Sequence, residues 1–190
     1  MPPEQRLRRA GAAGAGVPGA SPAAGTAHDR LMELLAAGRV PHRLLAHPPE
    51  GRTDAASLLR GHPLRRAAKT LVVRVALGRK KSRYVLAVVP GDRRVDLGAV
   101  ADVAGGVRAG FADRATAERL TGCVSGSIMP FSFHPDLTVL ADPELLGQDE
   151  IWFNAARLDL SVALSPHAYR RLAAPLVAPL TGPDPAVQAA

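Results

Sequence analysis

Lys69 stands at the edge of an apolar run, Ala67-Ala68-Lys69-Thr70-Leu71-Val72-Val73, in a chain where only three of 24 lysine-plus-arginine residues are lysine: Lys69, Lys80 and Lys81. A sequence that writes arginine almost everywhere a positive charge will do has kept an ammonium here. The two cations differ in shape: lysine is a compact point charge with three rotatable donors, arginine a wide planar fork, so a narrow pocket around one phosphate or carbonyl oxygen distinguishes them. The competing reading is a strand-edge lysine whose stem lies on the core while its head reaches water.

A second stretch with chemical potential is Gly126-Ser127-Ile128-Met129-Pro130. Glycine frees the backbone and proline four positions later stiffens it, so such a loop can present fixed N–H groups to a carbonyl oxygen or a developing oxyanion. It can equally be an ordinary connection. Asn154 and Asp159 can line a pocket or stabilise a turn with their own side chains.

Other chemistries are disfavoured. Cys123 is the sole cysteine, which excludes an intramolecular disulfide and a cysteine-built zinc site, and its neighbours supply no base. The six histidines are scattered, with His42 and His47 lacking an acidic neighbour at ligand spacing, so no metal is expected. Neither a nucleotide-type glycine motif nor a Gly-x-Ser-x-Gly elbow is present. The net charge of +7 is dispersed, a surface that suits a polyanion such as tRNA. No run approaches a membrane span, and residues 11–27 lack the apolar centre of a secretory signal, so a cytoplasmic protein is expected.

The elements that must position these residues read as follows. Residues 1–27 and 180–190 are poor in large apolar side chains and are expected to be flexible tails around one domain, 28–179. Asp29 is expected to cap a helix carrying Leu31, Leu34 and Leu35, ended by Gly38, with an extended segment from Val40 to His47. Thr53 is expected to cap a short helix stopped at Gly61. Leu71–Leu77 and Tyr84–Val89 form a hairpin around residues 78–82. Val95–Leu97 is extended, Ala99–Ala104 helical and Val107–Phe111 a strand, and Asp113 caps a helix closed by Gly122. Val139–Ala141, Ile151–Asn154 and Leu160–Leu164 read as strands, and Ser165-Pro166 opens a last helix. About six strands alternating with short helices predict a mixed α/β domain on one curved sheet.

Several of these pieces, in order, resemble the YbaK and prolyl-tRNA-synthetase-associated editing family of aminoacyl-tRNA deacylases. The matching residues are His47-Pro48-Pro49 with Thr53, Ala68-Lys69-Thr70-Leu71-Val72, Tyr84 to Leu97, Leu120-Thr121-Gly122-Cys123-Val124 to Pro130-Phe131, and Phe153-Asn154-Ala155 to Asp159-Leu160-Ser161. The resemblance covers nearly all of 29–174. It implies a barrel-like mixed sheet and hydrolysis of the ester joining a wrong amino acid to the 3′-terminal adenosine of tRNA, with aminoacyl-tRNA and an aminoacyl-tRNA synthetase as partners and no cofactor. It further implies that Lys69 is the key polar residue, that Gly126, Ser127, Ile128, Met129 and Pro130 shape the amino-acid pocket, and that His47, Thr53, Asn154 and Asp159 belong to the substrate site. No side-chain nucleophile is implied; a water assisted by the substrate's ribose hydroxyl attacks. Two departures are Ser127-Ile128-Met129 where relatives are richer in glycine, and Leu158 where many carry His or Arg. The variant is most similar to free-standing members acting on serine, threonine or alanine esters. A tRNA-binding module without turnover and an esterase for a small molecule are the alternatives.

Overall fold

A computed structural model describes residues 25–182, which form eight β-strands and six α-helices. Helix α1 (Ala27–Gly38) and strand β1 (His42–Ala46) lead into α2 (Thr53–Arg60) and a one-turn 3-10 helix, Leu64–Arg66. Strands β2 (Ala68–Gly78) and β3 (Lys81–Pro90) follow, then α3 (Leu97–Val103), β4 (Arg108–Phe111), α4 (Arg114–Thr121) and β5 (Leu137–Ala141). The chain finishes with α5 (Pro143–Leu146), β6 (Ile151–Asn154), β7 (Leu160–Leu164), α6 (Pro166–Ala173) and β8 (Leu176–Val177).

The mixed α/β class is as read, but the strands divide into two sheets instead of one. One is antiparallel with order β1-β7-β6; the other is mixed, with order β4-β2-β3-β5-β8. An isolated parallel bridge between Ala67 and Trp152 ties them together. In the larger sheet β2 and β3 run as near-continuous β-branched stretches because both faces are covered. Val72, Leu86 and Val88 enter the main core with Phe153, Val162 and Tyr169, whereas Val73, Val75, Val85 and Val89 pack with Val100 of α3 and with Leu180.

Local differences from the sequence reading have identifiable causes. Thr26, not Asp29, caps α1; Asp29 is its reciprocal partner, accepting from the Thr26 N–H at 2.9 Å. Gly38 stays helical, and the left-handed cap is Arg39. The cap of α2 is Arg52, with Thr53 the first helical residue. The β2–β3 connection shrinks to two residues, Arg79 and Lys80, at φ 43° and 63°, the doubly left-handed turn whose twist matches a hairpin. The packed chain also continues past residue 179: Leu180 is buried, its N–H donates to Asp142 Oδ2 at 2.8 Å, and Thr181 bridges Val95. The remaining tail expectations, for 1–24 and 183–190, lie outside the described residues. Among the described residues no helix is long and apolar enough to cross a membrane.

Candidate active site

The Ala67–Trp152 bridge holds β2 against β6 at one point, and the gap beside it is a cleft of about 330 Å³. Its floor is the start of β2, Ala68 to Leu71, and one wall is Trp152, Phe153 and Asn154 of β6. Helix α2 contributes Thr53, Ala56 and Arg60, and the Ser125-Gly126 turn with Ile128 closes the rim. The cleft lining holds three cations, Arg52, Arg60 and Lys69, and no carboxylate.

Lys69 sits opposite Val89 in the β2–β3 register, which brings its ammonium to the turn that ends β3. Nζ donates to the Gly91 carbonyl at 3.2 Å and to the Arg93 carbonyl. The side chain is about half buried, and this desolvation lowers its pKa; Asp92 opposes the shift and Arg94 adds to it. With two of three ammonium hydrogens on backbone carbonyls, the charge is fixed at the cleft floor rather than left to wander in solvent.

Asn154 ties the rim together. Its Nδ2 donates to the Gly126 carbonyl at 2.9 Å and to the Glu50 carbonyl at 3.0 Å, so one amide fastens two loops to β6. Those loops touch through backbone: a Cβ at Gly126 would lie 2.7 Å from Gly51 Cα, and Gly126 has φ +90°, a conformation that a side chain resists. On the outer side Glu118 of α4 accepts the Ser125 N–H at 2.9 Å and a hydrogen bond from Arg114. These contacts pull its carboxyl down to about 2, the Ser125 N–H being the largest cause.

Behind the wall lies a polar chain. Arg60 Nε donates to Ser161 Oγ at 2.8 Å, and Arg60 Nη2 donates to Asn154 Oδ1. Ser161 Oγ also meets His47 Nε2 at 2.7 Å, while His47 Nδ1 donates to the Pro48 carbonyl at 2.8 Å. Trp152, which lines the cleft, has its ring stacked on His62 at 5.1 Å and covered by the Arg43 guanidinium at 5.0 Å.

Of the residues singled out from sequence, the structure brings Lys69, Thr53, Gly126, Ile128 and Asn154 into one cleft. The others stand elsewhere. Ser127 is fully buried with its hydroxyl on the Val124 carbonyl, and Met129 and Pro130 are buried under the loop, Met129 within the main core. These three support the loop from beneath instead of facing the cleft. His47 lies behind the wall, and Asp159 is an exposed partner of Arg157 at 2.8 Å. Cys123 is buried in the core, where desolvation raises its thiol pKa, the opposite of what a nucleophile needs. Among the described residues no group of three or more His, Cys, Asp or Glu could hold a metal ion. Sequence reading missed Arg60, Trp152 and the buried hydroxyl of Ser161 as parts of the site. One signal for Arg60 was present: it has no acidic residue three or four positions away on its helix.

Comparison with known proteins bears on this geometry. A model of the aminoacyl-tRNA editing domain matches residues 47–172. The chain is 44% identical over 149 residues to the multifunctional Ser/Thr-tRNA deacylase ProXp-y of Escherichia coli K12, spanning 78% of this chain and 89% of that protein, and equally to its counterpart in strain O157:H7. Among solved structures it superposes on the hypothetical protein APE2540 with TM-score 0.73 at 23% identity, covering 80% of this chain and 99% of the other. It superposes also on a proposed trans-editing enzyme for prolyl tRNA synthetase with TM-score 0.68 at 24% identity, covering 86% and 99%.

Proposed function

Since the chain belongs to the aminoacyl-tRNA editing domain family, we propose that it acts in trans as a deacylase, hydrolysing the ester that joins a mischarged small amino acid to the 3′-terminal adenosine of tRNA. Serine and threonine are the first amino acids to test, in line with the activity named for the Escherichia coli relative, and alanine is the next. The observation that carries this reading is a single cleft uniting Lys69 with the Gly126 turn, lined by cations and no carboxylate. Such a lining suits the anionic end of a tRNA and disfavours a cationic ligand.

The geometry supports the following roles. Lys69 is the substrate-facing cation, anchored so that its remaining N–H and its charge are presented without reorganisation. Asn154 holds the Gly126 turn, and Ile128 narrows the amino-acid end, with Thr53 on the opposite lip. An aminoacyl ester is already activated, so holding it beside a water and an ordered set of donors supplies much of the acceleration without a side-chain nucleophile. A separate hydrolytic sieve is useful because a synthetic site separates side chains differing by a methylene or hydroxyl by only about 1–3 kcal/mol. Aminoacyl-tRNA as substrate, a synthetase as neighbour and a cytoplasmic location complete the reading.

The test is a panel of mischarged tRNAs. Rapid release of serine or threonine, with the tRNA body required, is expected. Release of no small amino acid at all would overturn the proposal. Equal hydrolysis of free aminoacyl esters would point instead to an esterase for small molecules.

A further inference from the structure

The cleft contains a cation for which the roles above have no use. Arg60 ends α2 with its guanidinium in the cleft wall, held by Ser161 Oγ on Nε and Asn154 Oδ1 on Nη2. Both holders are neutral and buried, and among the described residues no carboxylate pairs with the guanidinium and Nη1 has no hydrogen-bond partner. The other described arginines differ: Arg43, Arg52, Arg66, Arg93, Arg114 and Arg157 each have an acidic partner within 4.0 Å, and the rest are exposed to solvent. Desolvation with no compensating acid draws the Arg60 pKa down to about 10.

A guanidinium taken out of water without a counter-ion is expensive, and folds retain one where a ligand anion completes the pair. The manner of holding fits that use. Nε and Nη2 lie along one edge of the fork, and fixing that edge on neutral oxygens aims the group without cancelling its charge. The end formed by Nη1 and the second Nη2 hydrogen stays open, which is the bidentate face that suits a phosphate. Lys69, with two of its hydrogens on the Gly91 and Arg93 carbonyls, has one N–H left and no planar fork, so it offers a point charge and not a bidentate grip.

We propose that Arg60 is the phosphate-holding residue of the cleft, its open fork gripping a non-bridging oxygen of the phosphodiester at the 3′ end of the nucleic-acid substrate while Lys69 and the Gly126 turn address the ester. This deepens the reading of the cleft as an aminoacyl-tRNA site and rests on it. Because Asn154 accepts from Arg60 and donates to Gly126, the same grip bears on the turn beside the ester.

The chain's one tryptophan, Trp152, lines the cleft, so its fluorescence reports occupancy without any turnover. The full chain and the variant R60Q are titrated with the trinucleotide CpCpA, which carries phosphodiesters, and with adenosine, which carries none. R60Q is expected to bind CpCpA at least about tenfold more weakly, the loss of one charge-assisted contact, with its affinity for adenosine changed by less than about twofold. Equal weakening toward both ligands, or none toward CpCpA, overturns the proposal. Should R60Q fail to fold, R60K keeps the charge without the fork and must show the same selectivity for the phosphate-bearing ligand at smaller size. In deacylation the proposal predicts a rise in KM; a fall in kcat at constant KM would assign Arg60 to the ester oxygen and overturn it. A protein that hydrolyses mischarged tRNA although R60Q binds CpCpA normally sinks this inference alone. One that binds CpCpA through Arg60 yet hydrolyses nothing sinks the deacylase reading alone.

Discussion

Replacing Gly126 with alanine tests whether the close approach of two backbones shapes the cleft. The added Cβ would meet Gly51 Cα at 2.7 Å, its carbonyl oxygen at 3.1 Å and its carbonyl carbon at 3.3 Å. Comfortable carbon contacts begin at about 3.5 Å. Placing a side chain at φ +90° adds about 1–2 kcal/mol, and overlap of this kind costs about 1–3 kcal/mol when the structure cannot yield. The turn can yield only by moving away from Gly51, which stretches the 2.9 Å bond from Asn154 to the Gly126 carbonyl. Stability should therefore fall by about 2–5 kcal/mol, read from urea unfolding, while kcat/KM on mischarged tRNA falls about a hundredfold, as displacements near 1 Å at a reacting centre do. Gly61→Ala is the control: its φ is +69° but no atom lies within 4 Å of the new Cβ, so it bears the backbone strain alone, about 1 kcal/mol, and keeps full activity. Wild-type kcat/KM in G126A, or an equal loss in G61A, would exclude the Gly126–Gly51 approach as what shapes the cleft.

Lys69→Ala should abolish most deacylation and, by freeing the Gly91 and Arg93 carbonyls, cost about 2 kcal/mol in urea unfolding; Lys69→Arg should also be poor, since a planar fork cannot reproduce both contacts. Glu118 has its folded pKa depressed to about 2, so its contribution to stability is complete above the ordinary value of 4.5 and is lost as pH falls from there. Melting temperatures of Glu118→Gln should therefore fall less steeply than wild type between those pH values, and a parallel fall would reject the Ser125 contact. Tyr169 is fully buried with no hydrogen-bond partner for its hydroxyl among the described residues, and burial raises its pKa. Above about pH 10 the unfolded chain ionises this tyrosine and the folded one does not, so stability drops as pH rises. Tyr169→Phe should hold its melting temperature better than wild type from pH 9 to 11, and an identical alkaline limb in both proteins would contradict this.

Much of the fold was legible because its signals are local. Asp113 and Gly122 bracket α4, Ser165-Pro166 opens α6, and β6 and β7 begin and end where their β-branched and aromatic runs do. What was missed is short or tertiary: α5 is four residues, β8 is two, and Leu180 is ordered by Asp142, 38 positions away. The split into two sheets depends on strand pairing, which alternation of side chains does not encode. In the site, Lys69, Gly126 and Asn154 stood out by type or by resemblance. Arg60 did not, because its partners Ser161 and Asn154 are 101 and 94 residues distant and the lack of an acidic neighbour on its helix does not by itself mark a buried cation. Likewise the sequence of the loop does not tell that Ile128 faces the cleft while Ser127 and Met129 face inward; that depends on the core beneath them.

The cleft that joins Lys69 to the Gly126 turn is tested most directly by single-turnover release of serine and threonine from seryl-tRNA and threonyl-tRNA by wild type, Lys69→Ala and Gly126→Ala. Rapid release by wild type, with both variants folded and slower by about a hundredfold, is the predicted result. Release at the same rate by all three proteins would contradict it.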